Sequence, residues 1–152
     1  MSMYKNLIFT FFISVFVIIT GCNSTTQESA DKLKICPQCH MELPKSNKNT
    51  AFVLLSDKTI YFDDVGCMIL WAKEHNIELK NVTVKVFTND TKKYVDAYKL
   101  SYRIDEKTPM NYGFGAYESK QDRSIGFDEV ILKMLRGEHM ANPKIRKQIL
   151  GY

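Results

Sequence analysis

The sequence predicts an α+β fold, a small antiparallel sheet with packed helices, arranged as two weakly related ββαβ-type units. Three observations lead there. Short β-branched or aromatic runs of period two are separated by turn chemistry. Two longer apolar runs carry the i, i+3, i+4, i+7 spacing of amphipathic helices. The openings of those runs also echo each other: Phe62-Asp63-Asp64-Val65 and Phe127-Asp128-Glu129-Val130 each follow a strand-turn-strand stretch.

Taken in order, Ala51 to Leu55 reads as a strand, Ser56-Asp57-Lys58 as its turn and Thr59 to Phe62 as the returning strand. A helix follows, with Asp63 or Asp64 as N-cap, since acids suit a first turn. Val65, Met68, Ile69 and Ala72 are its apolar stripe, and His75 and Asn76 mark its C-terminal end. Val82, Val84 and Val86 alternate with Thr83, Lys85 and Phe87, as in a strand with one buried face. The Tyr-rich run from Tyr94 to Asp105 reads as a further strand. Pro109 and Gly113 then punctuate the chain before a strand around Phe114 to Glu118. The second helix lies within Gly126 to Met140 and ends near Gly137, and Asn142 to Tyr152 is a short basic amphipathic tail. The residues before Phe127 leave little room for a last strand, so the second unit is expected to be incomplete.

The front of the chain reads as an export signal. Leu7 to Thr20 is an apolar run of 14 residues behind a single positive charge, Lys5. That is short of the ~20 residues needed to span a bilayer and matches a secretory h-region. Ile19-Thr20-Gly21-Cys22 resembles a bacterial lipobox, which implies cleavage before a lipidated Cys22. The alternative is an uncleaved anchor with an incidental cysteine. The expected organisation is a signal peptide over 1–21, a disordered Ser/Thr-rich tether over 22–35, a metal-binding domain over 36–140 and a basic tail over 141–152. Removing Lys5 lowers the net charge of +4 by one, too little charge to argue for nucleic acid.

Export permits disulfides, yet Cys22 aside, only Cys36, Cys39 and Cys67 remain. An odd count points to a free thiol or a metal ligand. A four-cysteine zinc site would need a second cysteine pair, and the sequence has none. Within Cys36-Pro37-Gln38-Cys39-His40-Met41, three chemistries compete. The string satisfies the haem c attachment motif, with Met110 available as a distal ligand. It also contains the Cys-x-x-Cys of thiol-disulfide exchange, although Pro44 and the polar residues around it oppose the long helix that such sites open. Cu(I) uses more of the string, because soft thiolate and thioether donors select it. Cys39 and Met41 are two apart in an irregular or extended segment, where their side chains share a side. Met110 sits in a loop with no evident core to fill. Met68 and Met134 lie on helical apolar faces and read as core, and Cys67 reads as a small buried hydrophobe. Asp63 and Asp64 read as capping residues. His75 and His139 read as helix-end residues that favour the dipole.

The residues CPQCHM, YFDDVGCMILW and TPMNYGFGAY, in this order behind a lipobox, resemble the NosL family of lipid-anchored accessory proteins of nitrous oxide reductase. The resemblance covers roughly Cys36 to Ser119. It implies a non-catalytic, monomeric Cu(I) chaperone on the periplasmic face of a cell membrane. It implies nitrous oxide reductase and its maturation membrane complex as partners. It implies Cys39, Met41 and Met110 as copper ligands, with Cys36 close by, and a fold of two related ββαβ units. His40 and Asn111 stand where the family pattern has Gly. The rival readings are a haem c electron-transfer protein using Cys36, Cys39 and His40, and a metal-free binding module with Cys36 and Cys39 oxidised.

Overall fold

The computed structural model describes residues 34–152. The signal peptide, Cys22 and most of the tether lie outside the described residues. Within the described residues, no helix is long and apolar enough to cross a membrane.

The α+β class holds. Strands β1 (Ala51–Leu54), β2 (Thr59–Phe62), β3 (Thr83–Phe87) and β4 (Tyr94–Asp96) form an antiparallel sheet in the order β2-β1-β3-β4. Helix α1 (Val65–Glu74) links β2 to β3 and packs on β1 and β2. A separate antiparallel pair joins β5 (Ser101–Arg103) to β6 (Gly115–Tyr117). Helix α2 (Phe127–Leu135) packs against α1, and α3 (Pro143–Leu150) ends the chain.

Period-two patterning gives the sheet its buried face. Val53 is opposite Val84, and Ala51 is opposite both Val86 and Phe62; all five are buried. Helix α1 lays Val65, Met68, Ile69 and Ala72 into the same core. Fully burying a Val- to Phe-sized side chain contributes about 1.5–3 kcal/mol, so each of these residues is a substantial source of stability. Met68 and Met134 are core residues, as their spacing predicts.

Three elements differ from expectation. Phe87 falls on the polar side of its strand by alternation but is buried, because its ring meets Tyr94 at 5.3 Å in an aromatic cluster with Phe52 and Tyr61. The single strand expected from Tyr94 to Asp105 is broken. Asp96 accepts from the Tyr98 N–H and caps a 3-10 turn, Ala97–Lys99, that turns the chain from the large sheet into the small one. Lys34 and Ile35, expected in the tether, belong to the fold: Ile35 pairs with Glu42, and Leu43 N–H donates to Lys34 O at 2.8 Å.

Each half of the chain runs strand pair then helix, and between β6 and α2 there is only an isolated bridge at Ile125, so the residues before Phe127 hold no last strand, as expected. The echoed tetrapeptides are not equivalent in place. Phe62 ends a strand and Val65 opens α1, whereas Phe127 itself opens α2. Asp128 and Glu129 therefore lie inside the first turn of α2, and Gly126 caps it without a side-chain bond.

Candidate metal centre

Three separate pieces of chain meet at the N-terminal end of α1. The first is the stretch from Cys36 to Met41. It is a tight turn, not the irregular or extended segment expected. His40 N–H donates to Cys36 O at 2.9 Å, and Cys36 N–H donates to Met41 O at 2.8 Å. Closing so short a loop puts His40 at φ 61°, the left-handed region. The period-two argument for Cys39 and Met41 therefore does not apply. The turn instead directs Cys36 into the core and leaves Cys39 half-buried at its rim.

The second piece is Asp63 to Cys67. Asp64 is the N-cap, its Oδ1 accepting from Gly66 N–H at 2.9 Å. Asp63 is thereby released from capping, and its Oδ1 accepts from the Cys39 thiol at 3.2 Å. Reading both acids as caps is thus corrected for Asp63. Cys67 lies in the first turn of α1, and helical side chains lean toward the N-terminus, the end at which Asp63 precedes the cap. It is fully buried, as expected of a small hydrophobe, yet it also points its thiol at Cys36.

Together Cys36, Cys39, Asp63 and Cys67 place one ligand atom each within 4.8 Å of one another, a group able to hold a metal ion. All three thiols are free. The thiol hydrogen bond from Cys67 holds the Cys36 thiol down at about 6, with Asp63 and Cys39 N–H groups also aimed at it. Cys67, hydrogen-bonded to Cys36 and buried, is pushed far up. Burial raises Cys39 to about 12. The cluster thus favours the anion at Cys36 and the thiol at its two neighbours, which release protons when a cation binds. The second oxygen of Asp63, Oδ2, is buried without a hydrogen-bond partner. Such an orphaned acceptor is costly unless something cationic meets it.

The third piece is the loop from Thr108 to Gly113. Asp64 Oδ2 accepts from Met110 N–H at 3.2 Å, tying the loop to the helix start. Gly113 N–H donates to Thr108 Oγ1 at 3.2 Å, which shapes the loop from within. Tyr112 lays its ring on Gly66, where a side chain would collide with it. Asp64 is almost completely buried by these contacts, and burial raises its carboxyl to about 6 despite the bonds it accepts.

The expected ligands divide accordingly. Cys36 and Cys39 are brought together. Met110 has its main chain tied to Asp64, and its side chain is half-buried against the core, so it does have core to fill. Met41 is 40% exposed beside the turn. Asp63 and Cys67 join the cluster although sequence reasoning assigned them structural roles. Their position on either side of the helix cap, directly after a strand, is the signal that pairs them. His75 caps α1 as expected and stacks on Trp71 at 4.3 Å. His139 is not a dipole partner: it lies beyond α2, edge-on to Tyr112 at 4.9 Å. No protein-family model, curated protein or solved structure matches the chain.

Proposed function

We propose that this chain is a NosL-like, lipid-anchored Cu(I) carrier at the periplasmic face of a cell membrane, delivering copper to nitrous oxide reductase and its maturation membrane complex. The observation that carries the reading is the convergence of three free thiols at one rim, two fully buried and one half-exposed. Soft sulfur donors select Cu(I) over the harder divalent ions. The gradient of exposure suits a carrier. Copper met first by Met41 and Cys39 passes inward to Cys36, and leaves by the reverse sequence. A partner's ligands enter at the open side, and the metal moves by stepwise exchange of metal–sulfur bonds, the thiols giving up their protons on loading and regaining them from solvent on release. Met110 is the third sulfur this reading assigns, and the bond from its main-chain N–H to Asp64 fixes where its loop stands beside the helix start. No catalytic step is assigned, and the carrier acts as a monomer.

The haem c alternative is disfavoured by the same burial. Covalent attachment needs both thiols to reach a porphyrin edge, and Cys36 is fully buried against Cys67 and Asp63. The test is a spectrum and a copper competition on the protein purified in detergent from a host that matures haem c. A colourless protein that withholds Cu(I) from bicinchoninate is expected, with binding lost in Cys39→Ser and weakened in Met110→Ala. A Soret band from covalent haem refutes the carrier. Unchanged affinity in Met110→Ala removes that residue from the ligand set.

A further inference from the structure

We infer that the outward face of α3 docks on an anionic lipid surface and sets how the fold stands on the membrane. This rests on the reading of Cys22 as a lipid anchor and goes beyond it by naming a second, electrostatic contact. The argument begins with how α3 is held. Asn142 caps its first turn, accepting from Lys144 N–H at 3.1 Å, and Pro143 follows at a position that needs no N–H. Gly151, left-handed at φ 80°, closes the other end and donates to Lys147 O at 2.9 Å. A helix of eight residues is marginal in water by itself, so the two caps keep this one in shape.

The charge of the chain is concentrated there. Three of its net +4 charges are Lys144, Arg146 and Lys147, and α3 contains no acid. Ile145 and Ile149, four apart, share one side of the helix and are half-buried, Ile149 in a cleft with Ile104. Lys144, Arg146, Lys147 and Leu150 occupy the rest of its circumference, and all four are exposed. None of the three cations makes a salt bridge among the described residues. Asp105 and Glu106 line a cleft with Arg146, but Arg103 engages both, and Tyr117 Oη also donates to Glu106. Unpaired cations around an exposed leucine match the headgroup layer, where phosphate lies outermost and acyl chains begin beneath it.

The anchor supplies the occupant. Fully extended, the chain from Cys22 to Lys34 spans at most ~40 Å, so an anchored fold stays beside the surface whose charge α3 complements. Each basic side chain near an anionic surface is worth about fivefold in the docked population, and three are worth on the order of 100-fold. Docking also orients the rest of the fold. Asn142 Nδ2 donates to Gly137 O at 3.1 Å, and Met140 N–H donates to Tyr112 O at 3.1 Å. α3 is thereby tied both to the end of α2 and to the loop that carries Met110. The side that α3 turns to the bilayer therefore decides which way the thiol rim faces.

The experiment uses the full chain reconstituted in vesicles, with Leu150→Trp as a fluorescent reporter. The chain's one tryptophan, Trp71, is buried and gives a constant background. The vesicles are phosphatidylcholine alone or mixed with phosphatidylglycerol, and a lipid brominated high on its acyl chain is the quencher. The introduced indole is expected to be quenched strongly in the anionic vesicles and weakly in the neutral ones. The difference should vanish at ~1 M salt, where screening shortens the reach of charge to ~3 Å. Lys144→Gln, Arg146→Gln and Lys147→Gln together should also abolish it and leave the melting temperature unchanged, as these are surface positions. In the unsubstituted chain, hydrogen exchange in α3 should slow on anionic vesicles and not on neutral ones. Equal quenching in both compositions, quenching that survives loss of the three cations, or an indole that is never quenched would each overturn the proposal, the last whether or not Cys22 carries lipid. Composition-dependent quenching in a chain whose Cys22 proves unmodified by mass spectrometry supports the docking helix and sinks the anchor instead.

Discussion

Adding a single methyl group at Gly66 tests how the Met110 loop is held against α1. A Cβ built there lies 2.8 Å from Tyr112 Cγ and Cε2, and closer still to Cδ2. Carbon atoms in contact prefer about 3.5–4.0 Å, so the ring has to move by more than an ångström. It cannot slide freely. Tyr112 O accepts from Met140 N–H at 3.1 Å, and two residues earlier Met110 N–H is held by Asp64. Overpacking of this kind costs about 1–3 kcal/mol. Against it stands the intrinsic gain of Ala over Gly inside a helix, about 1 kcal/mol. A contact this close belongs in the upper part of that range, about 2–3 kcal/mol, so Gly66→Ala should destabilise the metal-free protein by roughly 1–2 kcal/mol. In a domain of this size that lowers Tm by roughly 5 °C or more. Thermal unfolding followed by circular dichroism reads it. The Tyr112→Ala background supplies the control, because with the ring gone the same methyl should become neutral or stabilising. A parent-background Gly66→Ala that melts higher than the parent would refute the packing of Tyr112 on α1.

His40→Gly should raise stability: relieving a left-handed residue returns about 1–2 kcal/mol, and the looser unfolded chain gives back about 0.4–1 kcal/mol. A urea midpoint that falls contradicts the left-handed turn. For Asp64 the folded carboxyl titrates at about 6 against an ordinary 3.8. The native state therefore binds the proton more tightly, and the contribution is fully present below the unfolded value and is lost as pH rises through the folded one. That is of order 3 kcal/mol between about pH 4 and 6. Asp64→Asn should flatten that part of the stability profile of the metal-free protein, and an unchanged profile would show that Asp64 does not titrate there. Asp90 ties the β3–β4 loop to the chain after β6, accepting from Glu118 N–H, Ser119 N–H and Ser119 Oγ. Asp90→Ala should cost about 1 kcal/mol in chemical unfolding and raise hydrogen exchange at Ser119. Unchanged exchange there removes the tie.

What was legible in the sequence follows the range of the forces involved. Alternation in β1 and β3 and the stripe of α1 are local, and both came through because each buries one face against the same core. The break at Ala97 was hidden, because Asp96 looks like an ordinary polar residue in an alternating run and acts as a cap only once the chain has to leave one sheet for another. Phe87 was misplaced for a similar reason: its burial comes from Tyr94 on the neighbouring strand, not from its own alternation. The metal cluster was half legible. Cys36 and Cys39 announce themselves by spacing. Cys67 and Asp63 each have a sufficient local explanation, apolar burial and helix capping, and only the return of the turn at Cys36–Cys39 against α1 gives them a second role.

The same distinction sharpens the meaning of His40 and Asn111. As letters, both depart from the glycines expected on the proposed NosL-like reading. As conformations, they stand at φ 61° and φ 56°, in the left-handed region that glycine occupies freely. Asn and His are among the residues that tolerate that region best. Each substitution therefore keeps the backbone shape and changes only what projects from it. At residue 111 the shape that matters is the loop presenting Met110 N–H to Asp64. At residue 40 it is the turn that sends Cys36 inward, and the imidazole projects from its exposed side. The residue that makes the string look like a haem attachment motif is accounted for by the turn alone. Its ring needs no metal to explain its place, and His40→Gly is accordingly expected to leave Cu(I) affinity as it is while making the fold more stable. A drop in copper affinity in that variant would return the imidazole to the ligand set.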